Sequence, residues 1–183
     1  MRYLLLILVL AGCGSSSDDN PMQEKTYLVA GQSNALVCNW AVFEEWTGGK
    51  VVNIALGGRS IDSLISMFNP KSIKGIDFDA VIFIHGESDA IEETYPPYYV
   101  ERVEYYRELL GVSDKPFYVT SVGYTIGSYP DELFDPIREI QRETWNIVYD
   151  GAWQFRERGM LIDEIHFGRE ACEEIFQGVI HVQ

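Results

Sequence analysis

The chain has 183 residues, of which 46% are hydrophobic and 23% charged, so it is long enough to bury a core in one globular domain. Its formal net charge is −14 at pH 7, and no basic cluster offsets this charge. Such a surface repels nucleic acid and anionic lipid, which argues against binding to nucleic acid. The sequence contains no internal repeat and no low-complexity tract within the predicted domain.

The N-terminus is predicted to be a targeting segment. Arg2 precedes an apolar run at residues 3–10, which is too short to span a bilayer as a mature helix. Residues 10–13 (LAGC) resemble the lipobox of bacterial lipoproteins, in which cleavage occurs just before a cysteine that is then lipidated. We therefore expect a signal peptide at 1–12, a lipid on Cys13, a polar tether over 13–24 and the domain over 25–183. The alternative is an ordinary secretory signal with a chance cysteine.

The predicted export has two consequences. Residue 14 is Gly rather than Asp, so retention in the inner membrane is not signalled and we expect an outer-membrane location if the source is Gram-negative. Cys38 and Cys172 would then lie in an oxidising compartment, where a disulfide between them can form. The alternative for these two residues is a pair of buried free thiols.

Predicted strands and helices alternate along the rest of the chain. Apolar runs predict strands at residues 26–31, 50–56, 79–84, 116–123 and 151–155. Amphipathic patterns predict helices at residues 33–46, 61–68, 97–110, 132–149 and 168–180. This alternation is typical of an α/β fold with a central parallel sheet covered by helices on both sides.

Ser33 lies where the first predicted strand ends and the first helix begins. Ligands of parallel sheets bind at the carboxyl ends of strands, and the free N–H groups of a helix start favour negative charge. This position suits a nucleophile whose reaction creates an oxyanion. The alternative is that Ser33 only caps the helix.

A histidine base can be sought among three residues, His85, His166 and His181. His181 is expected to face solvent near the C-terminus. His166 follows Asp163 by three residues, so the carboxylate can turn back and accept from one ring nitrogen, which leaves the other nitrogen for Ser33. On this spacing alone, a buried structural histidine remains the alternative.

Four short blocks together carry a family resemblance. Residues 31–34 (GQSN), 57–60 (GGRS), 85–90 (HGESDA) and 163–166 (DEIH) occur in this order, and the first three follow predicted strands. The set resembles the SGNH hydrolase superfamily, and within it the sialate O-acetylesterase-like carbohydrate esterases. The first and third blocks are the specific ones.

The resemblance implies a three-layer α/β/α flavodoxin-like fold and a serine esterase that uses no metal or other cofactor. By position it implies that Ser33 is the nucleophile, that His166 is the general base and that Asp163 orients His166. It also implies an oxyanion hole formed by the backbone N–H groups of Gly58 and Ser33. The G-x-S-x-G elbow of other hydrolases is absent around Ser33.

The third block departs from the pattern of the subgroup. His85 stands where the subgroup has Gln, and we expect a neutral His85 to donate to the oxyanion through one ring nitrogen. Glu87 is interpreted as a buried acid that accepts from turn N–H groups near Ser33, with a catalytic carboxylate as the alternative. Gln32 and Asn34 flank the nucleophile and are expected either to shape the turn or to touch substrate.

The expected function is removal of O-acetyl or other short acyl groups from a carbohydrate through an acyl-enzyme, by a protein anchored in the membrane through lipid. An acetyl group is favoured because the subgroup that the sequence resembles is deacetylating. A lipase or thioesterase of the wider superfamily is a related alternative. The alternative from another class is an inactive SGNH-like lipoprotein that binds glycan or a protein partner.

Overall fold

A computed structural model describes residues 24–125 and 129–183. The predicted signal peptide, Cys13 and the tether up to residue 23 lie outside the described residues. Five parallel strands form one sheet in the order β2-β1-β3-β4-β5. They are β1 (Thr26–Gly31), β2 (Lys50–Asn53), β3 (Ala80–Ile84), β4 (Phe117–Thr120) and β5 (Asn146–Tyr149). The predicted α/β class and parallel sheet of about five strands are therefore confirmed.

Within residues 24–125 and 129–183, seven α-helices connect and cover these strands. They are α1 (Ser33–Val37), α2 (Trp40–Thr47), α3 (Ile61–Met67), α4 (Glu87–Ile91), α5 (Pro96–Leu110), α6 (Asp135–Thr144) and α7 (Arg169–His181). Short 3-10 helices occupy Pro70–Ser72, Asp131–Leu133 and Ala152–Gln154. Across the described residues, no helix is long and apolar enough to cross a membrane.

The sheet separates two apolar cores because successive side chains of a strand point to opposite faces. Tyr27 and Val29 of β1 pack on the face that carries α2 and α7, whereas Leu28 and Ala30 pack on the face that carries α3, α5 and α6. Strand β3 lies in the middle of the sheet, and all five of its residues are buried. This burial explains why its sequence, AVIFI, is apolar without alternation.

The predicted first helix is in fact two helices. The chain is extended at Cys38, and α2 starts at Trp40. The carbonyl oxygen of Ala35, near the end of α1, accepts from the Trp40 indole Nε1 at 2.7 Å and from Asn53 Nδ2 at 2.9 Å. These tertiary contacts stabilise the break, and the apolar periodicity of the segment carries no sign of it.

Two predictions in the C-terminal half were wrong. The long helix expected over 132–149 ends at Thr144, and its last residues form strand β5 on the edge of the sheet. The β-branched pair Ile147 and Val148 favours a strand, and pairing with β4 outweighs the helical pattern. The strand expected at 151–155 is instead the 3-10 helix Ala152–Gln154.

The carboxyl ends of β1, β2 and β3 bring three of the four blocks to one edge of the sheet. Beyond the end of β2, Leu56 still donates its N–H to the Gly31 carbonyl at 3.0 Å, so the chain stays beside β1 up to the 57–60 turn. Gly31 has φ +134°, and a methyl group at its Cα would lie 2.0 Å from the Ile84 carbonyl oxygen. Only glycine therefore lets β1 approach β3 this closely before Ser33.

Candidate active site

Ser33 is the first residue of α1 and is half-buried at the carboxyl edge of the sheet. The helix is capped at Gln32, whose backbone N–H donates to the Ile84 carbonyl at 3.0 Å, and no side chain caps the helix. The alternative that Ser33 is only a helix cap is therefore not what the structure shows. The Ser33 hydroxyl is left for other chemistry.

Glu87, at the start of α4, holds both neighbours of Ser33. Its carboxylate accepts from Gln32 Nε2 at 2.5 Å and from Asn34 Nδ2 at 2.7 Å, and all three side chains are buried. Burial raises the pKa of the Glu87 carboxyl, and the Asn34 hydrogen bond opposes that rise. The donors are side-chain amides rather than turn N–H groups. Glu87 therefore supports the nucleophile turn from inside the protein.

Asn34 also joins this turn to the segment that carries the candidate base. Its Oδ1 accepts from the Phe167 backbone N–H at 2.9 Å, and its Nδ2 contacts the Ile165 carbonyl at 3.4 Å. The residues on both sides of His166 are thus bonded to the residue that follows Ser33. The sequence placed Asn34 beside the nucleophile, but nothing local in the sequence indicated this second attachment.

Asp163 and His166 lie in one tight loop that antiparallel pairing of Leu161 with Phe167 closes. Asp163 Oδ1 accepts from the backbone N–H groups of Ile165 and His166 at 2.9 and 2.8 Å. Its Oδ2 lies 2.7 Å from His166 Nδ1, and since a carboxylate only accepts, Nδ1 carries the proton. This hydrogen bond, with the two from the backbone, lowers the pKa of Asp163 to about 2.

The His166 ring is therefore fixed in the tautomer that leaves Nε2 as a proton acceptor, as a general base requires. Within residues 24–125 and 129–183, no hydrogen bond joins the Ser33 hydroxyl to this ring. Such contacts are often long before substrate binds. The attachments through Asn34 bring the two residues to the same edge of the sheet.

The backbone N–H groups of Ser33 itself and of Gly58 are the candidate donors to an oxyanion. Gly57 packs beside the serine, since a methyl group at its Cα would lie 3.7 Å from Ser33 Cβ. Gly58 has φ +60° and is exposed in the same turn. Across the described part of the chain, the N–H groups of Gly58 and Ser33 donate to no protein acceptor. They are available to a ligand oxygen.

The expectation that His85 donates to an oxyanion needs correction. Its Nε2 lies 3.0 Å from the Arg59 carbonyl oxygen, and its Nδ1 lies 3.2 Å from the Tyr99 hydroxyl. The Arg59 carbonyl can only accept, so Nε2 carries the single N–H of the neutral ring. Burial lowers the pKa of His85 to about 3, which keeps it neutral. The one N–H that was assigned to an oxyanion is already used within the protein.

The buried neutral state of His85 predicts a pH-dependent stability. Between pH 6.5 and about 3, the unfolded state binds a proton that the folded state excludes, so the free energy of unfolding falls as the pH falls through this range. His85→Gln removes this contribution. We expect acidification to lower the free energy of unfolding of wild type more than that of His85→Gln, as measured by urea unfolding at several pH values.

Asp89 makes the free energy of unfolding depend on pH in the opposite direction. Its carboxylate lies 3.6 Å from His85 Nδ1, and burial raises its pKa to about 7. Its contribution to stability is therefore present at low pH and is lost as the pH rises from about 4 to 7. Because both proteins retain Asp89, its effect largely cancels in their difference. A difference that does not change with pH would contradict a buried neutral His85.

Glu87 yields a prediction about the nucleophile turn. Glu87→Leu leaves the buried amides of Gln32 and Asn34 without their acceptor, and each unsatisfied group costs about 1–3 kcal/mol. We expect the free energy of unfolding to fall by roughly 2–5 kcal/mol and kcat to fall with it. Glu87→Gln retains one acceptor oxygen and should lose less. A Glu87→Leu protein as stable as wild type in urea unfolding would show that these hydrogen bonds contribute nothing to stability.

A disulfide joins Cys38 and Cys172, with the sulfurs 2.12 Å apart and the Cα atoms 5.5 Å apart. Cys38 directly follows α1, and Cys172 lies in the first turn of α7. The bond therefore connects the helix that begins with Ser33 to the helix that follows the His166 loop. Of the two alternatives left open by the sequence, the structure contains the bridge rather than two free thiols.

Solved structures share this fold at low sequence identity. A G-D-S-L family lipolytic protein from Veillonella parvula aligns with TM-score 0.67 and 13% identity, over 86% of this chain and 97% of its own. A lipase/acylhydrolase from Enterococcus faecalis aligns with TM-score 0.65 and 13% identity, over 87% and 95%. The protein TesA aligns with TM-score 0.63 and 15% identity, over 86% and 97%.

These likenesses show that the chain has the fold of SGNH, or G-D-S-L, hydrolases. The sequence itself matches no protein-family model and no curated protein. The identities are too low to transfer activity or substrate.

Proposed function

We propose that the protein is a serine esterase that removes acetyl or other short acyl groups from a carbohydrate. The observation that carries this proposal is the attachment of the Asp163–His166 loop to the nucleophile turn through Asn34. One residue thereby couples the candidate nucleophile to a base whose tautomer is already set. The backbone N–H groups of Gly58 and Ser33, which donate to no acceptor among the described residues, complete the set of parts that acyl transfer needs.

The proposed reaction has two halves. Ser33 Oγ attacks the ester carbonyl while His166 Nε2 takes its proton, and the N–H groups of Gly58 and Ser33 stabilise the oxyanion. The tetrahedral intermediate collapses to an acyl-enzyme, and the His166 proton passes to the departing alcohol. Water then attacks the acyl-enzyme with His166 again as base, which releases the carboxylic acid and restores Ser33. Asp163 stays ionised and stabilises the imidazolium.

The proposal also specifies the two halves of the ester substrate, a short acyl group and a carbohydrate alcohol. The carbohydrate assignment rests on the resemblance of the GQSN and HGESDA blocks to sialate O-acetylesterase-like enzymes. Two solved structures with this fold are described as lipolytic proteins or acylhydrolases, which makes a longer acyl chain the competing substrate class. Comparing kcat/KM on p-nitrophenyl acetate, butyrate and octanoate, and on acetylated sugars, separates the two. We expect acetyl esters to be preferred.

A binding protein without catalysis is the second candidate. It is favoured by the third block, where the His85 N–H that was expected to serve an oxyanion is bonded to the Arg59 carbonyl instead. The discriminating result is release of the carboxylic acid (acetate, butyrate or octanoate) by the purified protein from any of these esters, above a Ser33→Ala control. If wild type releases no acid from any ester above that control, the binding role replaces the enzyme.

We also propose that Cys13 carries a lipid that anchors the protein in the bacterial envelope, in the outer membrane if the cell has one. The support is the LAGC sequence and the polar Gly/Ser/Asp segment that follows. A Cys13→Ser protein should leave the membrane fraction, whereas wild type should remain there until detergent is added. Retention of the variant in the membrane would contradict lipidation at this residue.

A further inference from the structure

The turn that carries Gly58 is held by two side chains from the segment after β3. The Arg59 carbonyl accepts from His85 Nε2 at 3.0 Å, and the Ile61 backbone N–H donates to Asp89 Oδ2 at 3.0 Å. His85 and Asp89 are four residues apart, and both are buried. The turn is therefore fixed at two points that bracket residue 60.

Gly58 itself provides little to hold its own conformation. Its φ is +60°, and a methyl group at its Cα would meet nothing within 4 Å, so no neighbour holds the residue on that side. Glycine loses more backbone freedom on ordering than any other residue. The direction of the Gly58 N–H must therefore be set by the neighbouring attachments, of which the His85–Arg59 hydrogen bond is the nearest along the chain.

His85 is well placed to set that direction because its own ring cannot turn easily. The ring stacks on Phe83 with centroids 5.1 Å apart and on Tyr99 with centroids 5.8 Å apart. The Tyr99 hydroxyl donates to Nδ1, and Gln141 Nε2 donates to the His85 carbonyl at 2.8 Å. Both ring nitrogens and the backbone of this residue are thus engaged.

From this geometry we infer that His85 is a positioning residue, whose Nε2–H fixes the Arg59 carbonyl and thereby aims the Gly58 N–H at the oxyanion. This inference rests on the proposed function of the same site. A preorganised donor contributes most where charge develops, so loss of the positioning should lower kcat and leave KM nearly unchanged.

The first test compares two substitutions of His85 with a matched control. His85→Phe keeps a stacked ring without the N–H donor, and we expect kcat on p-nitrophenyl acetate to fall roughly 10- to 100-fold, less than the loss of a whole oxyanion donor. His85→Gln restores an N–H donor and should return kcat to within about threefold of wild type. Tyr99→Phe removes the contact to Nδ1 but leaves Nε2–H, and should also stay close to wild type. A His85→Phe protein with wild-type kcat, or a His85→Gln protein as slow as His85→Phe, would overturn the inference.

The second test needs neither activity nor a variant. Nitrogen-15 NMR of the histidine rings in the intact protein at pH 7 should show His85 neutral, with the proton on Nε2 and with Nδ1 unprotonated. A neutral ring with its proton on Nδ1 and none on Nε2 would lack the donor to the Arg59 carbonyl and would overturn the inference. Absence of hydrolysis by wild type would instead refute the esterase, and the NMR result would then decide the His85–Arg59 contact alone.

Discussion

Replacing either Ser33 or His166 with alanine is expected to lower kcat for ester hydrolysis by about 10⁵–10⁶-fold, because each removes the whole nucleophilic step. Residues that act as one unit have non-additive effects. The double variant Ser33→Ala/His166→Ala should therefore be no slower than either single variant. Steady-state kinetics on p-nitrophenyl acetate, with circular dichroism to verify folding, provide the measurement.

Asp163→Asn serves as the graded control for this series. The amide oxygen of the variant side chain would accept from the two backbone N–H groups, so the amide NH2 would face Nδ1. The ring would then hold its proton on Nε2, which could not act as base, and kcat should fall by about 10⁴-fold. The fall should be smaller than for Ser33→Ala. A His166→Ala protein that retains full activity would refute the triad while leaving the serine assignment open.

Removing the disulfide should cause a large loss of stability. Cys38 and Cys172 are 134 residues apart in sequence, and cross-links that close long loops restrict the unfolded chain most. We expect Cys38→Ser/Cys172→Ser to lower the free energy of unfolding by about 2–5 kcal/mol. For a chain of this length, the melting temperature should fall by roughly 5–20 °C.

A redox control separates the bond from the substitutions themselves. Wild type in dithiothreitol should melt close to the double variant, and the double variant should not respond to dithiothreitol. Cys13→Ser should melt like wild type in both conditions, because it leaves the bridge intact. Two titratable thiols in the native, unreduced wild-type protein would contradict the bridge.

Much of the fold was predictable from the sequence, because the hydrophobic pattern of a core strand depends on which of its faces are buried. The apolar run of β3 indicates burial on both faces, and the alternation of strands with helices predicts a parallel sheet. Gly31 before Ser33 marks a strand end where backbones approach closely. From these features, the carboxyl edge of the sheet could be identified as the site before any coordinates were known.

Other features were not predictable because they depend on contacts between distant residues. The break after α1 is stabilised by Asn53 and by the bridge to Cys172. Strand β5 forms on the edge of β4 although its residues continue a helical pattern. The attachment of Asn34 to the backbone of Phe167 spans 133 residues, and local spacing carries no information about it.

His85 shows the same limit within the site. Its position after β3 correctly placed it at the carboxyl edge of the sheet. The expected role as a direct donor failed because Arg59 and Tyr99, which approach from other elements, engage both ring nitrogens. The block therefore predicted where His85 lies in the fold but not which groups its ring nitrogens bond.

The proposed reaction requires Ser33 to be an activated nucleophile, and covalent labelling tests this requirement without knowledge of the substrate. Purified protein is treated with a fluorophosphonate probe, digested, and analysed by mass spectrometry to locate the modified residue. We expect one modified serine, Ser33, with labelling lost in Ser33→Ala and strongly slowed in His166→Ala. Labelling at another residue, or no labelling of folded wild-type protein, would refute Ser33 as the activated nucleophile.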